Sequence, residues 1–373
     1  MSAFLKNFGL LAVALAVCLG ITEMAARLLF ADTVRFNRFH SVVAYDEIVT
    51  RRLQPNTEFV HTSRDGAWRF RINGQGFRAS RDFAYEKPEN VMRVLVVGDS
   101  HTQGMEVGQE ETFAHRLDGR TCQSRTIETL NAGISGSGTS EQWIFYQREG
   151  HKYAPDAVVL GFFANDFDNN LTGFHALDEE GELYLERTIH PASSGTRVLE
   201  AHNRVGPLSY LSQNSVLYSV LMNAGWNFGK RWVYGRHLEE NVFATEQSDS
   251  EREQLKVTIT HRLLDAFKAE TAGRDSDFLV LDIPQILRSD DRGETMVSSL
   301  RAYPVPEAAA WADDVIALDN PDLDLVVPNG QRHINARAHA GFAEAIYERL
   351  CGPDTDGGIS SWPAWRLRLD RQG

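Results

Sequence analysis

Ser100 stands where an apolar, β-branched run breaks into small polar residues, MRVLVVGDSHTQG at 92–104. A serine hydroxyl is a weak nucleophile by itself. It needs a proton acceptor and a pocket for the negative charge that develops during attack. Residues able to supply both lie at similar breaks further along. NAGISGSGT, 131–139, ends the next apolar run in glycines whose backbone N–H groups can face an oxyanion. GFFANDF, 161–167, ends a third and offers the Asn165 amide. Close to the C-terminus, NGQRHINARAH carries two histidines. Asn335 suits the N-cap of a last helix, so His333 falls in the loop before it, free to project over strand ends. His339 falls inside that helix on the face of Phe342, Ile346 and Leu350, and reads as a packed structural histidine.

Each of these signals is weak alone, because Gly-Asp-Ser arises by chance and Asn-Asp after a strand can be only a turn. The distinctive feature is the order: Ser, then Gly, then Asn, each at a strand end, then His before the final helix. Other chemistries fit less well. No Gly-Lys-Ser/Thr follows the first apolar strand, which excludes a phosphate-binding loop of the usual form. The Gly-x-Ser-x-Gly elbow is absent at Ser100. There is no Cys/His cluster with metal-ligand spacing.

The elements that must position these residues alternate in type. RVLVVGD, DAVVLGFFAND and DFLVLDI are apolar throughout, and RTIETLNAG and DVIALD read as further strands. Between them ETFAHRLDGR, TSEQWIFYQREGHKY and 251–270 read as helices, the last with Leu255, Ile259, Leu263 and Phe267 on one stripe. A final helix covers 336–350. Strands that are apolar on both faces and separated by helices imply a parallel sheet covered on both sides. Ligands of such sheets bind at the carboxyl ends of the strands. The α/β unit spans about 91–351. Residues 167–250 interrupt the alternation after a strand end, and suit either a lid over the ligand crevice or packing against the accessory segment or a membrane. Residues 31–90 form an accessory segment in which RINGQGFRAS has the turn chemistry of a surface hairpin. Residues 352–373 are a tail.

These blocks resemble the SGNH (GDSL-type) hydrolases, and the membrane-anchored bacterial members above all, which share an upstream GFR stretch like 76–78. GDSHTQG resembles the first block with Ser100 as nucleophile. NAGISGSGT resembles the second with Gly136, and FFAND the third with Asn165, as oxyanion donors beside the Ser100 N–H. RHINARAH resembles the last block with His333 as base. The resemblance implies a three-layer α/β/α sandwich, flavodoxin-like, with a parallel sheet of about five strands. It implies a serine ester hydrolase or O-acyltransferase that needs no metal or organic cofactor. Its implied substrate is an acyl ester, such as O-acetyl groups of an envelope polysaccharide. One departure stands out. The family places an aspartate two or three residues before the histidine, where this chain has Gly330 and Gln331. Asp324 is the nearest upstream carboxylate and Asp322 a poorer candidate. The alternatives are a Ser–His dyad oriented by a backbone carbonyl, or an inactive membrane-tethered carbohydrate-binding or scaffold protein on the same fold.

The chain's 373 residues carry a formal net charge of −13, which argues against a nucleic-acid backbone as main partner. Three cysteines, Cys18, Cys122 and Cys351, are too few for a disulfide scaffold, though the last two could pair in an oxidising compartment. At the N-terminus, 1–30, Lys6 precedes an apolar run that resumes after Glu23 and reads as an uncleaved membrane anchor. A cleaved signal peptide is its main rival, and a buried helix a weaker one. With the anchor, the expected location is a bacterial cytoplasmic membrane, the catalytic part outside the cytoplasm. Oligomeric state is not legible in the sequence.

Overall fold

The computed structural model describes residues 2–30, 33, 35–36, 52–63, 65–171, 174–186, 201–202, 205–240, 249–289, 293–306, 309–318, 323–328 and 333–352. The tail beyond 352 therefore lies outside the described residues, as do Asp322 and 329–332.

A six-stranded sheet forms the centre. Its strands are β3 (Val91–Gly98), β4 (Thr121–Cys122), β5 (Arg125–Asn131), β6 (Ala157–Phe162), β9 (Asp277–Asp282) and β12 (Val315–Ala317). They lie in the order β12-β9-β6-β3-β5-β4. Five are parallel, as expected, and the two-residue β4 adds an antiparallel edge beside β5. Counted along the chain, the parallel strands run 2-1-3-4-5, so strand order reverses between β3 and β6. That reversal leaves a crevice at their carboxyl ends.

The apolar runs form strands because both faces are covered. Met92, Val94 and Val96 of β3 pack on one side with Phe113 and Leu117 of α3 (Phe113–Leu117) and Phe342 and Ile346 of α9 (Ala336–Cys351). Leu95 and Val97 pack on the other with Phe145 of α4 (Thr139–Arg148) and Leu264 and Phe267 of α8 (Asp249–Ala272). Each such side chain contributes roughly 1.5–3 kcal/mol on burial. Helices on both faces make the three layers.

The accessory segment contains a hairpin, β1 (Thr57–Ser63) and β2 (Gly66–Ile72), in which Ser63 pairs with Gly66. The expectation of a surface hairpin at RINGQGFRAS needs correction. Asn73 to Gly76 do turn, and Ile72 bridges Arg78, but Asn73, Phe77 and Arg78 are buried. Leu53, Phe59, Phe70 and Ile72 make a third apolar cluster with Met105 and Ile134, which lie in the loops after β3 and β5.

After β6 come α5 (Asn165–Leu171), a short hairpin β7 (His175–Leu177) and β8 (Leu183–Leu185), α6 (Gly206–Asn214) and α7 (Val216–Glu240). A further hairpin, β10 (Gln285–Ser289) and β11 (Gly293–Val297), follows β9. The α6–α7 junction is tied to the N-terminal helix α1 (Ser2–Leu29). The Glu23 carboxylate accepts from the Ser215 hydroxyl and the Val216 and Leu217 N–H groups, at 2.7–3.0 Å. It so satisfies donors that a helix start leaves open. Phe36 N–H donates to Ser219 Oγ of α7. These bonds tie the insertion to α1 and to Phe36 of the accessory segment. Within α1, Phe4–Leu29 has an apolar stretch of mean hydropathy 2.1 that is unburied, while Ala26 near its end is buried; the helix is long and apolar enough to cross a membrane, and a signal sequence has the same character.

Cys122 of β4 and Cys351 at the end of α9 form a disulfide that closes 229 residues of chain. It staples the last helix to the sheet edge. Cross-links of this kind typically stabilise by about 2–4 kcal/mol. Cys351→Ser is therefore expected to lower the urea midpoint by that equivalent, and dithiothreitol to shift the wild type but not the variant. Equal midpoints for oxidised and reduced wild type would show that the bond does not form.

Candidate active site

β3 ends at Gly98, where φ is +155° and a Cβ would stand 2.1 Å from Thr102 Oγ1 and 2.8 Å from the Gly161 carbonyl oxygen. A Cβ on Gly161 at the end of β6 would meet the same Oγ1 at 1.9 Å. Glycine at both strand ends thus lets the chain after β3 fold back as the single turn α2 (Ser100–Gln103). Asp99 caps that turn by accepting the His101 N–H at 2.8 Å. Ser100 is the first residue of the turn, where an N–H has no intrahelical acceptor. Its side chain is half-buried at the β3–β6 crevice.

The loop before α9 brings His333 to it. Val327 N–H donates to the His333 carbonyl, Asn335 N–H to the Leu325 carbonyl, and Ile334 N–H to His101 Nδ1. Asn335 then caps α9 through Arg337 and Ala338, as its residue type suggested. So held, His333 Nε2 lies 2.9 Å from Ser100 Oγ. Its Nδ1 lies 3.0 Å from Glu106 Oε2. With Glu106 ionised, Nδ1 carries the proton and donates it to the carboxylate, leaving Nε2 to accept the Ser100 O–H.

Glu106 was not among the expected acids. Its side chain is fully buried and its backbone is left-handed, φ +65°. Burial raises its carboxyl pKa, but hydrogen bonds from His333 and the Ser63 hydroxyl, with His61 nearby, bring it below the ordinary carboxylate range. Asp324 is elsewhere. Its side chain is 81% exposed and faces Arg337 at 3.6 Å, so the acid beside the imidazole is Glu106 rather than Asp324. The local signal for Glu106 in the sequence is slight: one glutamate in GMEVG, just after the serine block. Nothing in residue type reveals a left-handed glutamate that turns inward.

The expected anion donors lie in the loops that border Ser100. Gly136, with φ +76°, is the exposed residue of an otherwise largely buried β5–α4 loop. That loop is pinned to the end of β3, where the Gly98 carbonyl accepts from Ile134 N–H and Ser137 Oγ at 2.9 and 3.0 Å. Asn165 opens α5. Its Nδ2 donates one hydrogen to Asp99 Oδ2 at 3.1 Å, which orients the amide. Burial pushes the Asp99 carboxyl up to about 6, against bonds from the His101 N–H and Asn165 and the nearness of His333. Asp166, also buried, is pushed well above its ordinary value by burial and by the Asp99 charge.

A second serine–histidine pair has a different character. Ser140 Oγ and His175 Nδ1 are 2.8 Å apart, but Ser140 is only 1% exposed and its oxygen also accepts the Phe174 N–H. Trp143 stacks on the ring. This pair is packing. His339 is likewise buried, accepts the Phe113 N–H at Nδ1 and stacks on that ring, in keeping with its structural reading.

No protein-family model and no curated protein matches the chain. Among solved structures it is similar to a two-domain esterase (CEX) active on acetylated mannans, co-crystallised with mannopentaose. The identity is 12% and the TM-score 0.34, over 71% of this chain and 51% of that one. The chain thus spans about half the length of that structure. A likeness this remote does not extend to activity or substrate.

The buried histidines predict an acid sensitivity. Burial lowers His175 from an ordinary value near 6.5 to about 4, and His339 to about 3 with help from Arg78 and Arg116. A depressed folded pKa stabilises fully above the unfolded value, and that contribution is lost as pH falls through the window. Unfolding free energy should therefore drop between pH 6.5 and 4. His175→Gln should remove about 2 kcal/mol of the drop between pH 7 and pH 4.5 in paired urea titrations. Equal pH dependence in variant and wild type would contradict this account of His175.

Proposed function

We propose that this chain is a serine ester hydrolase or O-acyltransferase. The observation that carries the proposal is the hydrogen-bonded series Ser100 Oγ, His333 Nε2, His333 Nδ1, Glu106 Oε2, set at the carboxyl ends of a parallel sheet. His333 takes the hydroxyl proton as Ser100 Oγ bonds to the ester carbonyl carbon. The imidazolium so formed is supported by the Glu106 carboxylate, the part an aspartate plays in triads of this logic. The oxyanion is received by the Ser100 and Gly136 N–H groups and by the second amide hydrogen of Asn165. On collapse the alkoxide leaves with the proton from His333, and the acyl group stays on Ser100. A second hydroxyl then gives its proton to His333 and takes the acyl group, and His333 returns the proton to Ser100 Oγ as it leaves. If that hydroxyl is water the reaction is hydrolysis; if it belongs to a sugar it is transfer.

The compartment narrows the substrate. An apolar helix precedes the catalytic body, and a disulfide is formed, which fits an oxidising space outside the cytoplasm. In our reading α1 anchors the protein in the cytoplasmic membrane, and O-acetyl groups of an envelope polysaccharide are the substrate. The competing idea, an inactive carbohydrate-binding scaffold, drew its support from the missing aspartate. Glu106 at Nδ1 takes that support away.

The test is kinetic. A fluorophosphonate should label the wild type on Ser100, and Ser100→Ala should abolish both labelling and hydrolysis of 4-nitrophenyl acetate. Glu106→Gln should lower kcat on the order of 10³- to 10⁴-fold, as loss of a triad carboxylate does. Asp324→Asn should leave it unchanged. Asn165→Ala should lower kcat roughly 10²-fold or more, about 3 kcal/mol of barrier. A wild-type protein that is never labelled and cleaves no acetyl ester would return the scaffold reading.

A further inference from the structure

The α6–α7 pair turns an apolar face away from the protein. Along α7, Val216 and Ser219 are buried and Asn223 and Trp226 half-buried, so this side meets the body. There Ser219 Oγ accepts the Phe36 N–H, and the Tyr218 hydroxyl bonds His202 Nε2 at 2.6 Å. Leu221, Ala224, Gly225 and Phe228 follow the i, i+3, i+4, i+7 spacing of the opposite side, and all four are exposed. Leu221 is 61% exposed and Phe228 75%. A Cβ on Gly225 would meet nothing within 4 Å. On α6, Tyr210 is 67% exposed and Leu211 beside it is exposed too. A helix bathed in water carries the reverse pattern, apolar residues inward and polar residues outward.

The N-terminal helix fixes where this face lies. From Phe4 to Thr22, α1 rises about 28 Å, close to the thickness of a bilayer's hydrocarbon core. Lys6, near its start, reaches the far interface along its own apolar stem. Glu23 and Arg27 come next, where such a helix leaves the hydrocarbon, and both hold the α6–α7 junction. Arg27 Nη2 donates to the Asn214 carbonyl at 2.6 Å, and Glu23 accepts from Ser215, Val216 and Leu217. With α1 in a bilayer, these bonds pin the junction at the level of the lipid headgroups.

We propose that α6 and α7 lie on the bilayer surface beside α1, with Tyr210, Leu211, Leu221 and Phe228 set among the headgroups and upper acyl chains. This inference rests on the reading of α1 as a membrane anchor. Interfacial helices bind through the apolar area they bury, and tyrosine suits the boundary because its ring is apolar and its hydroxyl polar. Lipid is the occupant because the clamp from α1 brings the apolar face to it with no further partner. Docked in this way, the pair fixes the tilt of the catalytic body, which a single helix leaves free.

The test uses the full chain in phosphatidylcholine–phosphatidylglycerol vesicles doped with a lipid carrying a nitroxide on its upper acyl chain. Ala224→Cys and Phe228→Cys, each combined with Cys18→Ser, are labelled with the fluorophore NBD. Ala224→Cys leaves the large apolar residues in place. Emission at both positions should shift to the blue on vesicle binding and be quenched by the nitroxide. NBD at Glu344→Cys, exposed on α9, should be neither shifted nor quenched. Quenching at Glu344 as strong as at Ala224 overturns the proposal. So do unquenched labels at Ala224 and Phe228 that cross-link between chains, which would put a second copy on this face. Cys18 of the wild type, labelled in the same way, reads the anchor separately. If Cys18 is quenched while Ala224 and Phe228 are not, the anchor stands and the docked pair falls. If Cys18 is not quenched, the anchor reading fails and takes this inference with it.

Discussion

The contact on which this site depends is the bond between the His333 imidazole and a buried carboxylate. An imidazole can accept a serine proton only in one tautomer and one orientation, and the group at Nδ1 selects both. Here Glu106 makes that selection from inside the protein, 227 residues away along the chain. A buried carboxylate is costly unless hydrogen bonds replace the water it has lost. The bond from His333 does so. The carboxyl consequently stays charged despite its burial.

The sheet topology explains why these groups can meet at all. Strand order reverses between β3 and β6, so the chain leaves the two strand ends in opposite directions and a gap opens between them. Gly98 and Gly161 line the gap with no side chain, and Thr102 settles against both. The turn that carries Ser100 can then lie directly on the strand ends. Loops from β5 and β6 close around it, and the loop before α9 descends from the far side of the sheet order. Four separate connections thus converge, each anchored by a core strand or by a helix cap.

Around this centre the less regular parts of the chain act as braces. The β1–β2 hairpin packs on the loops that follow β3 and β5. The disulfide ties α9, which begins three residues after His333, to the opposite sheet edge. Glu23 caps α7 and joins the insertion to α1, so the apolar helix is hydrogen-bonded to the rest of the protein. A polar clamp near the end of an apolar helix limits how freely the body can swing about it.

Much of this was written in local pattern. Fully apolar runs such as VLVVG and VVLGF can be satisfied only by burial on both faces, which dictates strands of a covered parallel sheet. The residues that break those runs, and Asn335 ahead of the last helix, marked where Ser100, Gly136, Asn165 and His333 would lie. Residue type and spacing sufficed because each of these depends on its own neighbours. The acid did not. Asp324 was the nearer carboxylate in sequence, yet it turns to Arg337 in solvent, while Glu106 reaches His333 through a left-handed backbone. The carbonyls on either side of that residue are held by Arg78, from a segment with little periodicity of its own. Which carboxylate faces an imidazole is a question of distance in space, and distance in space is set only when the hairpin, the loop and the last helix have packed together.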